Sequence, residues 1–268
     1  MPPEAPSLKI LKIGGSVLTD RSVERPRVRR ALLARLAAEI AAAWRAGGFR
    51  LLLIHGAGSF GHPIVRRTGI ERGLANESHR IAFAETQRLQ SVLNGIVVRA
   101  LLREGLPAFP FQASANAVLE RGEIRSFSLE AVAGLLSWGL VPVLNGVPAV
   151  DVERGCSILS GDVLAGHLAA RLGAVELLHG TDVRGIYSAD PATDPAARFL
   201  PQIDLRAGGV LPTGIGGSTA TDVTGGMRKK LEELGKTKAR CQVFDATFVG
   251  NVRRALSGGI VGTLVVCD

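Results

Sequence analysis

An apolar run that stops in glycine is the most constraining feature of this chain. Leu51 to Ile54 leads into His55, then Gly56-Ala57-Gly58-Ser59-Phe60-Gly61, then His62-Pro63. Four consecutive apolar residues read as a strand buried on both faces. Glycines beyond such a strand leave bare backbone N–H groups at the end of a sheet, a place to hold an anion, most often a phosphate. The stretch also matches G-x-G-x-x-G. The dinucleotide fingerprint needs a helix opening at once, an acidic residue at the end of the next strand, and normally the first strand of the fold. Here Pro63 follows, Glu71 and Glu77 fall in a loop and at a helix start, and the loop follows the second strand, so a dinucleotide is disfavoured. His55 and His62 both read as core histidines with their hydrogen bonds met. His62, beside three glycines, also has the chemistry to donate to a phosphate or phosphonate oxygen.

The rest of the chain alternates strands and helices. Leu8 to Ile13 is a strand, Arg30 to Arg45 an amphipathic helix stopped by Gly47-Gly48, and Phe49 to Ile54 the next strand, a unit that implies parallel pairing. Asn76 is placed to cap a helix running to about Glu104, and Leu106 to Phe111 is a third strand. Glu120 to Glu123 is a hairpin turn, Ser128 caps a short helix to Trp138, Val141 to Leu144 is a strand, and Ala149 to Leu159 a second hairpin. Then come a helix from Asp162 to Leu172, a strand from Val175 to Leu178, a polar loop from Gly180 to about Thr221, long enough to be either functional or the host of short elements, and a lysine-rich helix from Thr224 to Lys238. A strand at Gln242 to Asp245, a short helix at Thr247 to Leu256 and a strand at Gly262 to Val266 finish the chain. This order predicts an α/β fold, a three-layer αβα sandwich around a mostly parallel sheet. A soft boundary near residues 172–175 divides it into an N-terminal lobe, about 1–172, and a C-terminal lobe, about 173–268.

Composition excludes several classes. No apolar run is long enough to span a membrane, and the proline-rich start lacks a signal pattern, so a cytoplasmic protein is expected. The net charge of +8 is spread along the chain and not gathered in one stripe, which argues against nucleic acid. Arg21, Arg25, Arg27, Arg29 and Arg30 form a local cluster that reads mainly as a solvated loop and helix start. Cys156, Cys241 and Cys267 are odd in number, far apart and without metal spacing, as expected of free thiols.

Four further stretches carry chemistry. Lys12-Ile13-Gly14-Gly15-Ser16 ends the first strand with a point charge and two glycines that allow close approach to a ligand. Ser160-Gly161-Asp162 leads into a helix, where an aspartate serves as a cap or organises lysines. His179-Gly180-Thr181-Asp182-Val183-Arg184-Gly185-Ile186-Tyr187 follows a strand with the character of a nucleotide-contacting loop. Thr224-Gly225-Gly226-Met227 opens a helix whose N–H groups favour an anion, with Lys230 one turn in. Gly235-Lys236-Thr237 imitates the end of a Walker loop, but it sits at a helix end and position 230 is lysine where glycine is needed.

In this order, from Lys9 to Val266, the motifs resemble the amino acid kinase superfamily. Within it, H-G-A-G-S-F-G-H-P looks like the isopentenyl phosphate kinase branch and its relative, fosfomycin kinase. The resemblance implies ATP-dependent, in-line phosphorylation of isopentenyl phosphate to isopentenyl diphosphate, with Mg²⁺, in a homodimer serving isoprenoid biosynthesis. It also implies acceptor binding in the N-terminal lobe and nucleotide binding in the C-terminal lobe. A fosfomycin-type phosphonate kinase and a nucleotide-sensing protein without turnover are the alternatives. By resemblance, Lys12, Arg21, His62, Asp162 and Lys230 are catalytic, and Ala57, Gly58, His62 and Gly155 bind the acceptor. Lys12, Gly14, Gly15, Ser16, Gly58, Thr181, Asp182, Gly185, Tyr187, Gly225, Gly226 and Lys230 border ATP. Arg21 stands where the family often has lysine, which keeps the charge and changes its reach. A phosphate acceptor is already a nucleophile, so the chemistry needs alignment and neutralised repulsion and no general base. An apolar tail on the acceptor needs an apolar slot, and Ile81, Phe83, Leu89, Val92 and Leu93 of the long helix are candidates for it or for core.

Overall fold

The computed structural model describes residues 6–20, 25–191, 193–206 and 226–267. In chain order the strands are β1 (Ser7–Ile13), β2 (Phe49–His55), β3 (Ala108–Pro110), β4 (Ala117–Glu120), β5 (Glu123–Phe127), β6 (Val141–Asn145) and β7 (Val147–Asp151), then β8 (Gly155–Leu159), β9 (Glu176–Thr181), β10 (Ile186–Tyr187), β11 (Phe199–Leu200), β12 (Gln202–Asp204), β13 (Arg240–Asp245) and β14 (Thr263–Val266). The helices are α1 (Gly15–Leu18), α2 (Arg30–Arg45), α3 (His62–Thr68), α4 (Glu77–Arg103), α5 (Glu130–Ser137), α6 (Gly161–Leu172), α7 (Gly226–Leu234) and α8 (Asn251–Leu256).

One sheet runs through the molecule in the order β12-β14-β13-β9-β1-β2-β6-β3. Among the described residues its only antiparallel pair is β13 with β14. Parallel strands need both faces covered, and alternation along β1 and β2 divides their side chains accordingly. Leu8, Ile10, Leu52 and Ile54 pack under α5, α6 and α7, while Leu11, Ile13, Leu51 and Leu53 pack under α1, α2, α4 and α8. The expected three-layer αβα sandwich is therefore present. A smaller sheet, β5-β4-β7-β8, joins it beyond β6, where expected hairpins form. Arg121 and Gly122 both take the left-handed backbone that a two-residue hairpin loop requires (φ 53° and 86°).

Two local expectations change, at Ser128 and in the lysine-rich helix. Ser128 does not cap α5, which begins after Leu129 without a side-chain cap. The long loop after β9 does contain short elements, β10, β11 and β12, too short to show a period in sequence. The lysine-rich helix stops at Leu234, short of Lys238. Asn76 caps α4 as expected, its Oδ1 accepting the His79 N–H at 3.0 Å. No disulfide joins the cysteines, and among the described residues no helix is long and apolar enough to cross a membrane.

Candidate active site

Strand register builds the centre of the site. Lys12 of β1 is paired with His179 of β9, and His179 with Val243 of β13, so their side chains share the sheet face covered by α6 and α7. The first turn of α6 brings Asp162 over that face. Ser160 is the residue that caps α6, accepting the Val163 N–H at 3.2 Å, and this leaves the Asp162 carboxylate available. Asp162 Oδ1 lies 2.8 Å from Lys12 Nζ, 2.8 Å from Lys230 Nζ on α7, and 3.2 Å from His179 Nδ1.

All four side chains are largely shielded from water. Burial would raise the Asp162 carboxyl, but Lys12, Lys230 and His179 together hold it well below the usual carboxylate range. Burial brings the Lys230 ammonium down to about 8, with Asp162 opposing and Lys12 adding to the fall. The imidazole of His179 is pushed down to about 4, again chiefly by burial. The cluster thus sets two ammoniums against one carboxylate. An ammonium has three donors, so both lysines keep donors for an incoming anion, and the net positive charge favours one.

Two glycine loops form the adjoining wall. A Cβ on Gly15 would lie 2.2 Å from the Gly58 nitrogen, and one on Gly56 would lie 2.5 Å from the Gly15 nitrogen. The backbones meet at distances that only glycine permits. Gly58 is also left-handed at φ 52°. Thr19 ties the loops together: its buried Oγ1 accepts the Ser59 N–H at 2.9 Å and donates to Gly15 O at 2.7 Å. Gly56 N–H donates to Ile13 O at 2.9 Å, and Gly14 N–H to Gly180 O at 2.8 Å, which joins the ends of β1, β2 and β9. Ala57 leads into the turn at Gly58, and Ser16 is buried within α1.

The remaining expected residues lie around this centre. His62 opens α3, half-buried, directly after Gly61. Gly155 begins β8 with φ 78°, and a Cβ there would approach the Leu74 side chain to 3.1 Å, so a turn and a packing contact explain the glycine. Thr181 ends β9, its hydroxyl engaged with Val183 O at 2.9 Å and Phe244 O at 3.1 Å, while Asp182 is exposed. Gly185 packs on Thr263, and Tyr187 meets Phe199 edge to face. Gly226 is the first residue of α7; Arg21, Thr224 and Gly225 lie outside the described residues. Of the α4 candidates, Leu93 is in the main core, Ile81 and Val92 are exposed, and Phe83 and Leu89 border a separate cluster of Ile64, Val65, Ile70, Ala82 and Cys156. Sequence reasoning missed His179 and Thr19. The signal for His179 was its place two residues before Thr181, and it gains meaning only once β9 is known to lie beside β1.

The sequence profile of the amino acid kinase family matches residues 7–243. The isopentenyl phosphate kinase of Methanothermobacter thermautotrophicus is 37% identical over 262 residues, covering 93% of this chain and 95% of the relative. That of Methanocaldococcus jannaschii is 33% identical over 265 residues, covering 96% and 97%. A solved isopentenyl phosphate kinase superposes with a TM-score of 0.84 at 34% identity, covering 97% of this chain and 100% of its own. The product complex of the Thermoplasma acidophilum enzyme gives 0.78 at 25% identity, covering 97% and 100%. With this length of similarity and this geometry together, the chain belongs to the amino acid kinase family, in its isopentenyl phosphate kinase branch.

Proposed function

We propose that this protein transfers the γ-phosphoryl group of ATP to isopentenyl phosphate, giving isopentenyl diphosphate. The observation that carries the reading is a single carboxylate oxygen, Asp162 Oδ1, holding Lys12 and Lys230 at 2.8 Å each beside two interlocked glycine loops. Transfer between two phosphates needs them aligned and their repulsion neutralised. Lys12 bridges the moving group, Lys230 holds the ATP phosphates from the other side, and Asp162 orients both. Backbone N–H groups at Ala57 and Gly58 serve the phosphates, with Gly14, Gly15 and Ser16 on the nucleotide side. Thr181, Asp182, Gly185, Tyr187, Gly225 and Gly226 border ATP. An acceptor phosphate oxygen attacks the γ-phosphorus while the bond to the β-bridging oxygen breaks, and ADP leaves with that electron pair. No protein base is needed.

His62 donates to the acceptor phosphate, Gly155 offers it a backbone contact, and Arg21 adds transition-state charge. Phe83 and Leu89, which border the apolar cluster of Ile64, Val65, Ile70, Ala82 and Cys156, are the side chains we assign to meet the isoprenoid tail. Residues 1–172 serve the acceptor and 173–268 the nucleotide. Among the described residues no set of three or more His, Cys, Asp or Glu is placed to hold a metal. A carboxylate already paired with two ammoniums is a poor cation ligand, so the site does not fit a resident Mg²⁺. The ion is better assigned to the nucleotide's own phosphates. A cytoplasmic homodimer fits the family resemblance, and light scattering tests the dimer.

A coupled assay of ADP release decides the acceptor. Isopentenyl phosphate is expected to turn over and fosfomycin to be slow or inert. Turnover with fosfomycin alone would replace the reading with a phosphonate kinase. ATP binding without turnover on either would leave a nucleotide sensor.

A further inference from the structure

Three side chains converge on Asp162 Oδ1, and phosphoryl transfer accounts for two of them. The third, His179, is wholly buried. Its Nδ1 is 3.2 Å from the oxygen. The contact is not a formed hydrogen bond, and neither ring nitrogen has a hydrogen-bond partner among the described residues. A buried polar group left without a partner is destabilising. Positions on the same face, Leu177, Cys241 and Val243, carry apolar residues that bear no such cost. Packing alone does not explain an imidazole here.

The position of Asp162 does. Its helix is capped by Ser160, and among the described residues no backbone N–H is bonded to the carboxylate. Among the described residues its other polar contacts are the two ammoniums, and arriving phosphates compete with it for both. A carboxylate held only by groups that move would move with them. Imidazole is a different kind of donor, because burial keeps it uncharged at neutral pH and a phosphate has little pull on it. We infer that His179 is a positioning residue, whose Nδ1–H closes onto Asp162 Oδ1 as the lysines turn to the phosphates and keeps that oxygen oriented toward both. Loose contacts of this kind tighten when substrate binds. The inference rests on the phosphotransferase reading of the site.

The test pairs two substitutions with one spectroscopic measurement. His179→Leu removes the donor at similar volume. His179→Asn returns an N–H near the place of Nδ1. Expected for His179→Leu is a fall in kcat of about 10- to 100-fold, with KM for ATP and isopentenyl phosphate unchanged within about twofold. His179→Asn is expected to recover most of the loss. Long-range ¹H–¹⁵N spectra of wild-type protein with a non-hydrolysable ATP analogue should show His179 neutral, with its proton on Nδ1, from pH 6 to pH 8 (about the range where free histidine titrates). The His179→Asn spectrum assigns the signal. Equal kcat in the two variants, or a proton on Nε2, overturns the inference. If His179→Leu does not fold, the wild-type tautomer still decides. Absence of turnover by the wild type would instead count against the functional reading, and the spectrum with the ATP analogue would judge His179 separately.

Discussion

Two buried histidines stand near the ends of β2 and β9, on opposite faces of one sheet. Burial pushes both down to about 4. His55 has its bonds met: Nδ1 lies 3.1 Å from Gly56 O and Nε2 lies 3.3 Å from Asn94 Nδ2. Asn94 continues to Val143 O at 3.0 Å and Asn145 Oδ1 at 3.3 Å, so this network ties α4 to β2 and β6 with no net charge. His179 has no such network and stands instead beside a carboxylate and two ammoniums. The same residue type at similar depth thus does two kinds of work. A polar group whose bonds are met holds elements together, whereas a cluster with donors to spare waits for a ligand.

The largest effect expected from this contrast is catalytic. Lys12→Ala and Lys230→Ala should each lower kcat by about 10²- to 10³-fold, the usual loss when a donor to developing charge is removed. Steady-state rates with isopentenyl phosphate measure it. A loss of less than tenfold in both variants would remove the cluster from the chemistry and erase its difference from the His55 network.

Much of that contrast was legible in the sequence, for a physical reason. Lys12, the glycines and Asp162 lie at junctions between elements, and junctions announce themselves through glycine, apolar runs and capping residues. The apolar runs of β1 and β2, the amphipathic pattern of α2 and the Asn76 cap of α4 were plain, and these elements formed close to their expected bounds. His55 reads from the sequence as a satisfied core histidine and is one. What stayed hidden depends on neighbours distant in sequence. The meeting of His179 and Lys12 requires β9 to lie beside β1, and the grip of Thr19 on Ser59 requires two loops to interlock. β10, β11 and β12 are too short for any period. The cap of α6 was legible only in part, because Ser160 and Asp162 are both good N-terminal residues and the backbone geometry chooses between them.

Acid should act on both clusters at once. A histidine whose pKa falls from 6.5 to about 4 on folding leaves the unfolded chain binding more protons between those values. Stability is then complete above pH 6.5 and is lost as pH falls toward 4, by up to about 3 kcal/mol for each histidine. Asp162, shifted below its usual 3.8, adds its own loss only at lower pH. Denaturant midpoints between pH 7 and pH 4.5 should fall steadily, and His55→Leu should flatten the slope by about one histidine's share. An unchanged slope would mean that His55 is not held neutral by the fold.

A smaller effect separates structure from chemistry within the His55 network. Asn94→Ala leaves His55 Nε2 without its donor and should cost about 1–3 kcal/mol of stability, with kcat unchanged within about twofold. Chemical denaturation and the kinase assay on one preparation check both halves. A large fall in kcat at intact stability would join the two networks and break the distinction.

The smallest effect concerns charge alone. Burial leaves Lys230 titrating at about 8 in the free protein, so its ammonium is lost as pH rises through that value. Because kcat/KM reports the free enzyme and kcat the bound complex, kcat/KM should decline above about pH 8. The limb of kcat should lie higher, since nearby phosphates favour the charged form of the lysine. Lys230→Arg keeps a charge that does not titrate in this range. It should be slower, because guanidinium differs in shape, yet its kcat/KM should lack the limb near 8. If the variant keeps that limb, another group sets it and Lys230 is charged throughout. If kcat and kcat/KM decline together in the wild type, bound phosphate does not reach Lys230, and the cluster's spare donors face something other than the nucleotide.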